Sequence, residues 1–149
     1  MCIWVDADSC PAIVRNYIAE KAKEHSLKAL FAANRNIPIE ISEFVEFQLC
    51  SAGKDEADNF IFARATKGDI VVTKDILFAE RLVKAEVAVM NDRGVLFTAR
   101  NIEKYVSERN LSLAMANLGL KQGYSKNTYG KKEFVLFREC FDKTLASLL

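Results

Sequence analysis

The sequence predicts an α/β domain of three layers, with helices on both faces of a parallel sheet. Two observations carry this. Short apolar, β-branched runs alternate with segments of helical periodicity from Cys2 to Phe97. The run Ile70-Val71-Val72-Thr73 has no polar face, as suits a strand covered on both sides. The chain has 149 residues, 50% hydrophobic and 28% charged, enough material for one domain with a real core. The expected organisation is a single domain over 1–149, with 98–149 a helical C-terminal extension packed on it.

Cys2–Val5 (CIWV) is the first strand, followed by Asp6, Ala7, Asp8 and Ser9. Pro11 suits the first position of a helix, and Val14, Ile18 and Ala22 recur at four-residue spacing along it. Leu27–Ala33 is the second apolar run and ends at Asn34, and the stretch through Pro38 to Ser42 is a connection. Phe44–Cys50 reads as a strand closed by Gly53. Asp55–Thr66 reads as a helix, with Ala57, Phe60, Ile61 and Ala65 on one face. Gly68 and Asp69 turn the chain into the Ile70 strand. Leu77, Ala79, Leu82 and Val83 mark another helix, Val87–Met90 a strand, and Asn91–Gly94 a turn into a short last strand at Val95–Phe97. Thr98–Gly119 is mostly helical, and Lys121–Gly130 reads as a polar, mobile loop. Phe134, Phe137, Phe141, Leu145 and Leu148 form the apolar stripe of a closing helix.

The net charge of +1 argues for neither membrane nor nucleic acid, but it hides an asymmetry. Residues 1–92 carry 11 Lys/Arg against 15 Asp/Glu, a net −4, and residues 93–149 carry 10 against 5, a net +5. Such a division suits a protein that binds cations in one place and a polyanion beside it, or it reflects chance in a short chain. No apolar run exceeds five residues, far short of a membrane span. The early acid Asp6 and the lack of a basic flank predict no secretory leader. Cys2, Cys10, Cys50 and Cys140 make no CxxC pair and are expected as reduced thiols in a cytoplasmic protein.

The informative feature is where the carboxylates fall. Asp6 and Asp8 follow the first strand, and Asp75 follows the Ile70–Thr73 strand. In open parallel sheets ligands bind beyond the carboxyl ends of the strands, where the winding direction reverses. If the first strand is central, Asp6, Asp8 and Asp75 meet there, and Asp58, one helical turn beyond Asp55, can project the same way. Carboxylates crowded together need a counter-cation, and an oxygen-only donor set suits Mg²⁺ or Mn²⁺. Such an ion activates water and stabilises an in-line displacement at phosphorus. The competing reading is local: Asp8 or Ser9, Asp55 and Asp75 cap three successive helices, Asp55 with Asp58 in capping-box spacing. Glu56 and Asp69 read as solvated or turn residues.

Other chemistries find little support. The single histidine, His25, lies at a Lys/Glu-rich helix end, which leaves no His-based triad or His-rich zinc site. Cys10 precedes a helix, where a thiol pKa can fall, but reads as a small packing residue. There is no Walker or Rossmann glycine pattern. Asn34, at a strand end, is a candidate substrate contact or a turn residue, and Arg93 a phosphate contact or a solvated turn residue. Lys121, Tyr124, Lys126, Tyr129, Lys131 and Lys132 interleave cations with aromatics, as a grip on single-stranded nucleic acid would, or form a plain solvated loop.

The segments WVDADSCP, FAAN, GKDEAD, GDIVVTKD and NDRG occur in this order. Together they resemble the YaiI/YqxD family of small bacterial proteins, strongly over residues 1–100 and in outline at the closing helix. That family looks PIN-like. The resemblance implies a twisted parallel sheet of order 3-2-1-4-5 with helices on both faces. It also implies the acidic positions of PIN-like nucleases, after strand one, on a central helix and after strand four. Matched here, these are Asp6, Asp58 and Asp75, with Asp8 as the family's own addition. Many PIN nucleases carry further acids just after the fourth-strand aspartate; here Ile76, Leu77 and Phe78 follow, with Glu80 the nearest.

Three functions compete. The first is an Mg²⁺- or Mn²⁺-dependent phosphodiesterase acting on RNA or single-stranded DNA, with Asp6, Asp8, Asp58 and Asp75 as metal and catalytic residues and Asn34, Arg93 and Lys126 facing substrate. The second is a haloacid-dehalogenase-like phosphatase with Asp6 as nucleophile and Asp8 as general acid. The third is a non-catalytic nucleic-acid-binding or regulatory domain.

Overall fold

The computed structural model describes residues 1–53, 55–120 and 128–149. The elements follow the alternation expected of the sequence: β1 (Cys2–Asp6), α1 (Ala12–Glu24), β2 (Lys28–Ala33), β3 (Val45–Leu49), α2 (Glu56–Phe62), β4 (Ile70–Val72), α3 (Ile76–Lys84), β5 (Ala88–Met90), β6 (Leu96–Phe97), α4 (Ile102–Asn117) and α5 (Lys131–Leu148). The strands form one sheet in the order β3-β2-β1-β4-β5-β6.

The first five strands pair in parallel. The sixth differs: Val89 pairs with Phe97 and Met90 with Leu96, antiparallel. The connection from β5 is a tight turn, too short for the crossover that a parallel neighbour needs. Asn91 Oδ1 organises it by accepting from the Arg93 and Val95 amides. Gly94 closes it at φ +83°, where an added Cβ would lie 2.4 Å from the Leu136 carbonyl oxygen.

The apolar residues of the strands divide between the two faces with the period of two expected of a pleated strand. Ile3, Val5, Ala29, Phe31, Ile70 and Val72 face the layer of α1 and α5, where they meet Val14, Ile18, Phe137 and Phe141. Trp4, Ala32, Val71 and Val89 face the layer of α2, α3 and α4, against Ala57, Ile61, Phe78, Leu82 and Ile102. Burial on both faces explains why β1 and β4 read as continuous apolar runs. The closing helix α5 is fixed on α1 by the Tyr17 hydroxyl, which donates to the Asp142 carboxylate at 2.6 and 2.7 Å, and by edge-on contact of Tyr17 with Phe134, Phe137 and Phe141.

Two local expectations change. The helix expected over 55–66 spans only Glu56–Phe62, because Asp55 enters at φ +63° and the chain turns again before Asp69. Asp69 is not a solvated turn residue. It is 6% exposed and accepts from the Cys2 amide, the Trp4 indole Nε1, and the Thr66 amide and hydroxyl at 2.9–3.2 Å. Burial pushes its carboxyl up, but these donors outweigh it and hold the group below the usual carboxylate range.

Candidate active site

The chain winds from β1 outward to β2 and β3, then crosses back to place β4 on the other side of β1. The winding direction therefore reverses at β1, and a crevice opens beyond the ends of β1 and β4. Val5 is level with Val72 in the register, so Asp6 and Thr73 emerge side by side. The Thr73 hydroxyl donates to Asp6 Oδ2 at 2.9 Å and accepts from the Asp75 amide at 3.1 Å. Asp75 Oδ1 in turn accepts from the Phe78 amide at 3.1 Å, capping α3. The capping reading of Asp75 is thus correct, and the same carboxylate also faces the crevice.

α2 lies over β1 and β2 through buried Ala57 and Ile61, which brings Asp58 in its first turn above the strand ends. Asp58 is 6% exposed. Carboxylate oxygens of Asp55, Asp58 and Asp75 lie within 4.8 Å of one another. Asp55 makes no side-chain capping bond, contrary to its expected role. The reason is its left-handed backbone, far from the extended conformation of an ordinary N-cap residue. The crevice is a cleft of about 460 Å³, lined by all four expected acids (Asp6, Asp8, Asp58 and Asp75) together with Asp55, Asn34, Lys74 and Arg109.

Crowding shows in the protonation of the cluster. Burial pushes the Asp58 carboxyl up to about 8, reinforced by the negative charge of Asp6 and by hydrogen bonding and charge from Asp75. Burial raises Asp6 as well, helped by the charges of Asp8 and Asp75 and opposed by the Thr73 hydroxyl and by Asp58. Such a cluster holds a proton at neutral pH, or a cation in its place.

Asp8 has a partly structural task. Both its carboxylate oxygens accept from the Asn34 amide, at 2.9 and 3.1 Å, while Arg35 donates to its carbonyl oxygen at 2.6 Å, so it ties the segment after β1 to the end of β2. Neither Asp8 nor Ser9 caps α1, whose N-cap position is Pro11 without a side-chain bond. The Asn34 side chain lines the cleft; its Nδ2 donates to the Gly53 carbonyl at 3.4 Å and its Oδ1 is buried without a hydrogen-bond partner. Arg93 does not line the cleft, and its guanidinium lies 5.7 Å from the centroid of the Tyr129 ring. Lys121, Tyr124 and Lys126 fall outside the described residues. Burial drives the Cys10 thiol up to about 12, reinforced by the Asp92 charge, so it is a packing residue. His25 is exposed at the C-terminal end of α1.

Three residues of this region escape sequence reasoning. Lys74 lines the cleft, and its Nζ lies 4.0 Å from Asp92 Oδ2. Asp92, 2% exposed, has no hydrogen-bond partner for either carboxylate oxygen. Its position after β5 is a strand-end signal like that of Asp75, masked by the turn motif NDRG. Arg109 reaches the cleft from α4, across more than thirty intervening residues from Asp75, and only its helical spacing from Ile102 hints at the direction it faces.

Comparison with known proteins places the chain. A family model described as "Uncharacterized BCR, YaiI/YqxD family" matches residues 4–147. The chain belongs to the YaiI/YqxD family. A UPF0178 protein of Treponema denticola is 38% identical over 149 residues, covering 100% of this chain and 94% of its own length. One from Treponema pallidum is 38% identical over 149 residues, covering 100% and 84%. One from Psychromonas ingrahamii is 34% identical over 145 residues, covering 97% and 95%. No solved structure matches the chain. The YaiI/YqxD resemblance drawn from WVDADSCP and its companion segments is therefore correct, and those segments supply Asp6, Asp8, Asn34, Asp55, Asp58, Lys74 and Asp75 of the cleft. No helix among the described residues is long and apolar enough to cross a membrane.

Proposed function

We propose that this protein is a divalent-metal-dependent phosphodiesterase of PIN-like type, acting on RNA or single-stranded DNA. The observation that carries the reading is the convergence of Asp55, Asp58 and Asp75 within 4.8 Å, beside Asp6, at the reversal point of the sheet. The donor set is all carboxylate oxygen, which fits Mg²⁺ or Mn²⁺ and no softer ion. Asp58 held near 8 marks a site whose negative charge lacks compensation, and a hard cation would supply it. When bound, such an ion supplies a nucleophilic water and charge stabilisation at phosphorus.

The chain's own residues do the rest. Asp55, Asp58 and Asp75 hold the ion. Asp6, fixed by the Thr73 hydroxyl, orients the attacking water and accepts its proton. Asp8 and Asn34 keep the end of β2 in register with the site. The phosphatase reading fits less well, because it needs Asp8 as a mobile acid, whereas both its oxygens accept from the Asn34 amide.

Single-turnover cleavage of short fluorescent RNA and single-stranded DNA with Mn²⁺ tests the reading. Wild-type protein cuts; Asp6→Asn, Asp58→Asn and Asp75→Asn each lose more than about a hundredfold, since even outer-sphere changes at metal sites cost 10–100-fold. Failure of the wild type to cut any of them with Mn²⁺ or Mg²⁺ overturns it. Turnover of phosphomonoesters instead, with a phosphorylated Asp6, establishes the phosphatase reading.

A further inference from the structure

Arg109 is half-buried, while its neighbours Glu108 and Asn110 are exposed. The cause lies in the helix. Ile102, Tyr105, Val106 and Arg109 share one face of α4, at the three-, four- and seven-residue spacing of a helical stripe. The first three pack on the layer formed by α3 and Phe97, with Tyr105 edge-on to the Phe97 ring at 5.3 Å. Arg109 continues the stripe past the end of that apolar layer, and the next surface it meets is the cleft.

A guanidinium recruited merely to neutralise the acidic cluster would pair with it. Among the described residues none of its carboxylates lies within ion-pair distance of Arg109, and Nη1 instead donates to Asn110 Oδ1 at 3.3 Å. A second cation lines the same cleft. Lys74 leaves the end of β4 toward Asp92, which lies by Cys10 and accepts the Tyr129 hydroxyl at its carbonyl oxygen, at 2.7 Å. The cleft thus combines its carboxylates with two cations, Arg109 from α4 and Lys74 from just past the end of β4.

We infer that Arg109 is a substrate-binding residue that grips a backbone phosphate of a single-stranded nucleic acid, with Lys74 as a second cation lining the same cleft. This rests on the phosphodiesterase reading for the position of the scissile phosphate. Its planar, forked donors match two phosphate oxygens. A bound metal ion leaves the pocket able to accept a second anion, and the two cations select a chain of phosphates over a single one. The charge asymmetry of the sequence has a role here: the acidic part supplies the carboxylates of the cleft and the basic part supplies Arg109.

The test measures binding of a short fluorescent single-stranded RNA to the full chain, with Ca²⁺ replacing Mn²⁺ to suppress cutting. Wild type, Arg109→Ala, Arg109→Lys and, as control on the same helix, Glu108→Ala are compared, with Mn²⁺ affinity measured separately by electron paramagnetic resonance. Arg109→Ala weakens RNA binding about tenfold, the worth of one charge-assisted hydrogen-bonding group, and flattens its salt dependence. Arg109→Lys recovers part of the loss, Glu108→Ala changes little, and Mn²⁺ affinity is unchanged throughout. In cleavage, Arg109→Ala raises KM more than it lowers kcat. Wild-type affinity in Arg109→Ala, or no RNA binding by the wild type, overturns the inference. An Arg109-dependent RNA complex that no metal ion renders cleavable refutes the phosphodiesterase reading and leaves the grip standing. Equal sensitivity of bis(p-nitrophenyl) phosphate and RNA hydrolysis to Arg109→Ala places its contact on the scissile phosphate and overturns the backbone assignment.

Discussion

Replacing Asp58 by Asn isolates the electrostatic tension of the metal-free cluster. Asparagine keeps the shape of the side chain and removes the charge. The Asp58 carboxyl is driven from an ordinary 3.8 up to about 8 by burial, by Asp6 and by Asp75. A folded-state pKa raised above the unfolded one means that the native protein binds the extra proton. Its contribution is therefore fully present below the ordinary value and lost as pH climbs through the raised one. At about 1.4 kcal/mol per pH unit, the loss by neutral pH approaches 4 kcal/mol as a ceiling, shared between Asp58 and Asp6, whose protonation is linked. In EDTA, urea unfolding of the wild type should become easier from about pH 4 to about pH 8 and then level off, and that of Asp58→Asn should lack most of this decline. At the alkaline end the variant is the more stable protein. Saturating Mn²⁺ narrows the gap: at about a hundred times its Kd it adds about 2.7 kcal/mol to the wild type and far less to the variant. A wild type whose stability is level across this range, and equal to that of the variant, would refute the crowding argument and remove the electrostatic case for a cation.

The remaining predictions concern the scaffold. Asp69→Ala strands the Trp4 indole and the Cys2 amide in the interior and should cost about 3 kcal/mol in urea unfolding. Because donors hold Asp69 below the usual range, its contribution is present above that range and fades as pH falls through the lowered value, so Asp69→Asn should blunt acid unfolding. Gly94→Ala places a Cβ 2.4 Å from the Leu136 carbonyl oxygen at φ +83° and should cost on the order of 2 kcal/mol by thermal unfolding. Tyr17→Phe removes the donor to Asp142 and should cost about 1 kcal/mol, an effect that Asp142→Asn alone should partly reproduce. The Cys10 thiol, at about 12, should resist iodoacetamide until the chain unfolds, as mass mapping of the alkylated peptides will show.

The sheet was legible because a buried parallel strand leaves a strong signature: Cys2–Val5 and Ile70–Thr73 lack a polar face, and helical stripes fall between them. The partnership of Asp6 and Asp75 was legible for the same reason, since strand ends are fixed once the strand order is known. What depends on one dihedral angle or on distant packing was not. The left-handed turn at Asp55 frees its carboxylate from capping, and an aspartate before a helix looks the same in sequence whether it caps or not. Asp69 resembles any turn residue after a glycine; its burial comes from Trp4 and Cys2, more than sixty positions earlier. Arg109 belongs to a helix whose path over α3 only the folded chain reveals.

Asp75 shows why the capping and ligand readings of an acid at a strand end need not compete. A carboxylate has two oxygens and about four lone-pair directions. Capping α3 occupies Oδ1, through the Phe78 amide. The Thr73 hydroxyl, by accepting from the Asp75 amide, fixes the backbone from which the side chain projects, and by donating to Asp6 it sets the neighbouring carboxylate in the same frame. The helix N-terminus also favours negative charge at that point, which offsets part of the cost of crowding acids there. The cap thus holds one oxygen still so that the other is presented to the cleft at a fixed position, the condition a small, geometrically demanding ion imposes on its ligands. An acid at the junction of a buried strand and a helix is well suited to carry both tasks, and removing it should cost helix stability and cation affinity together.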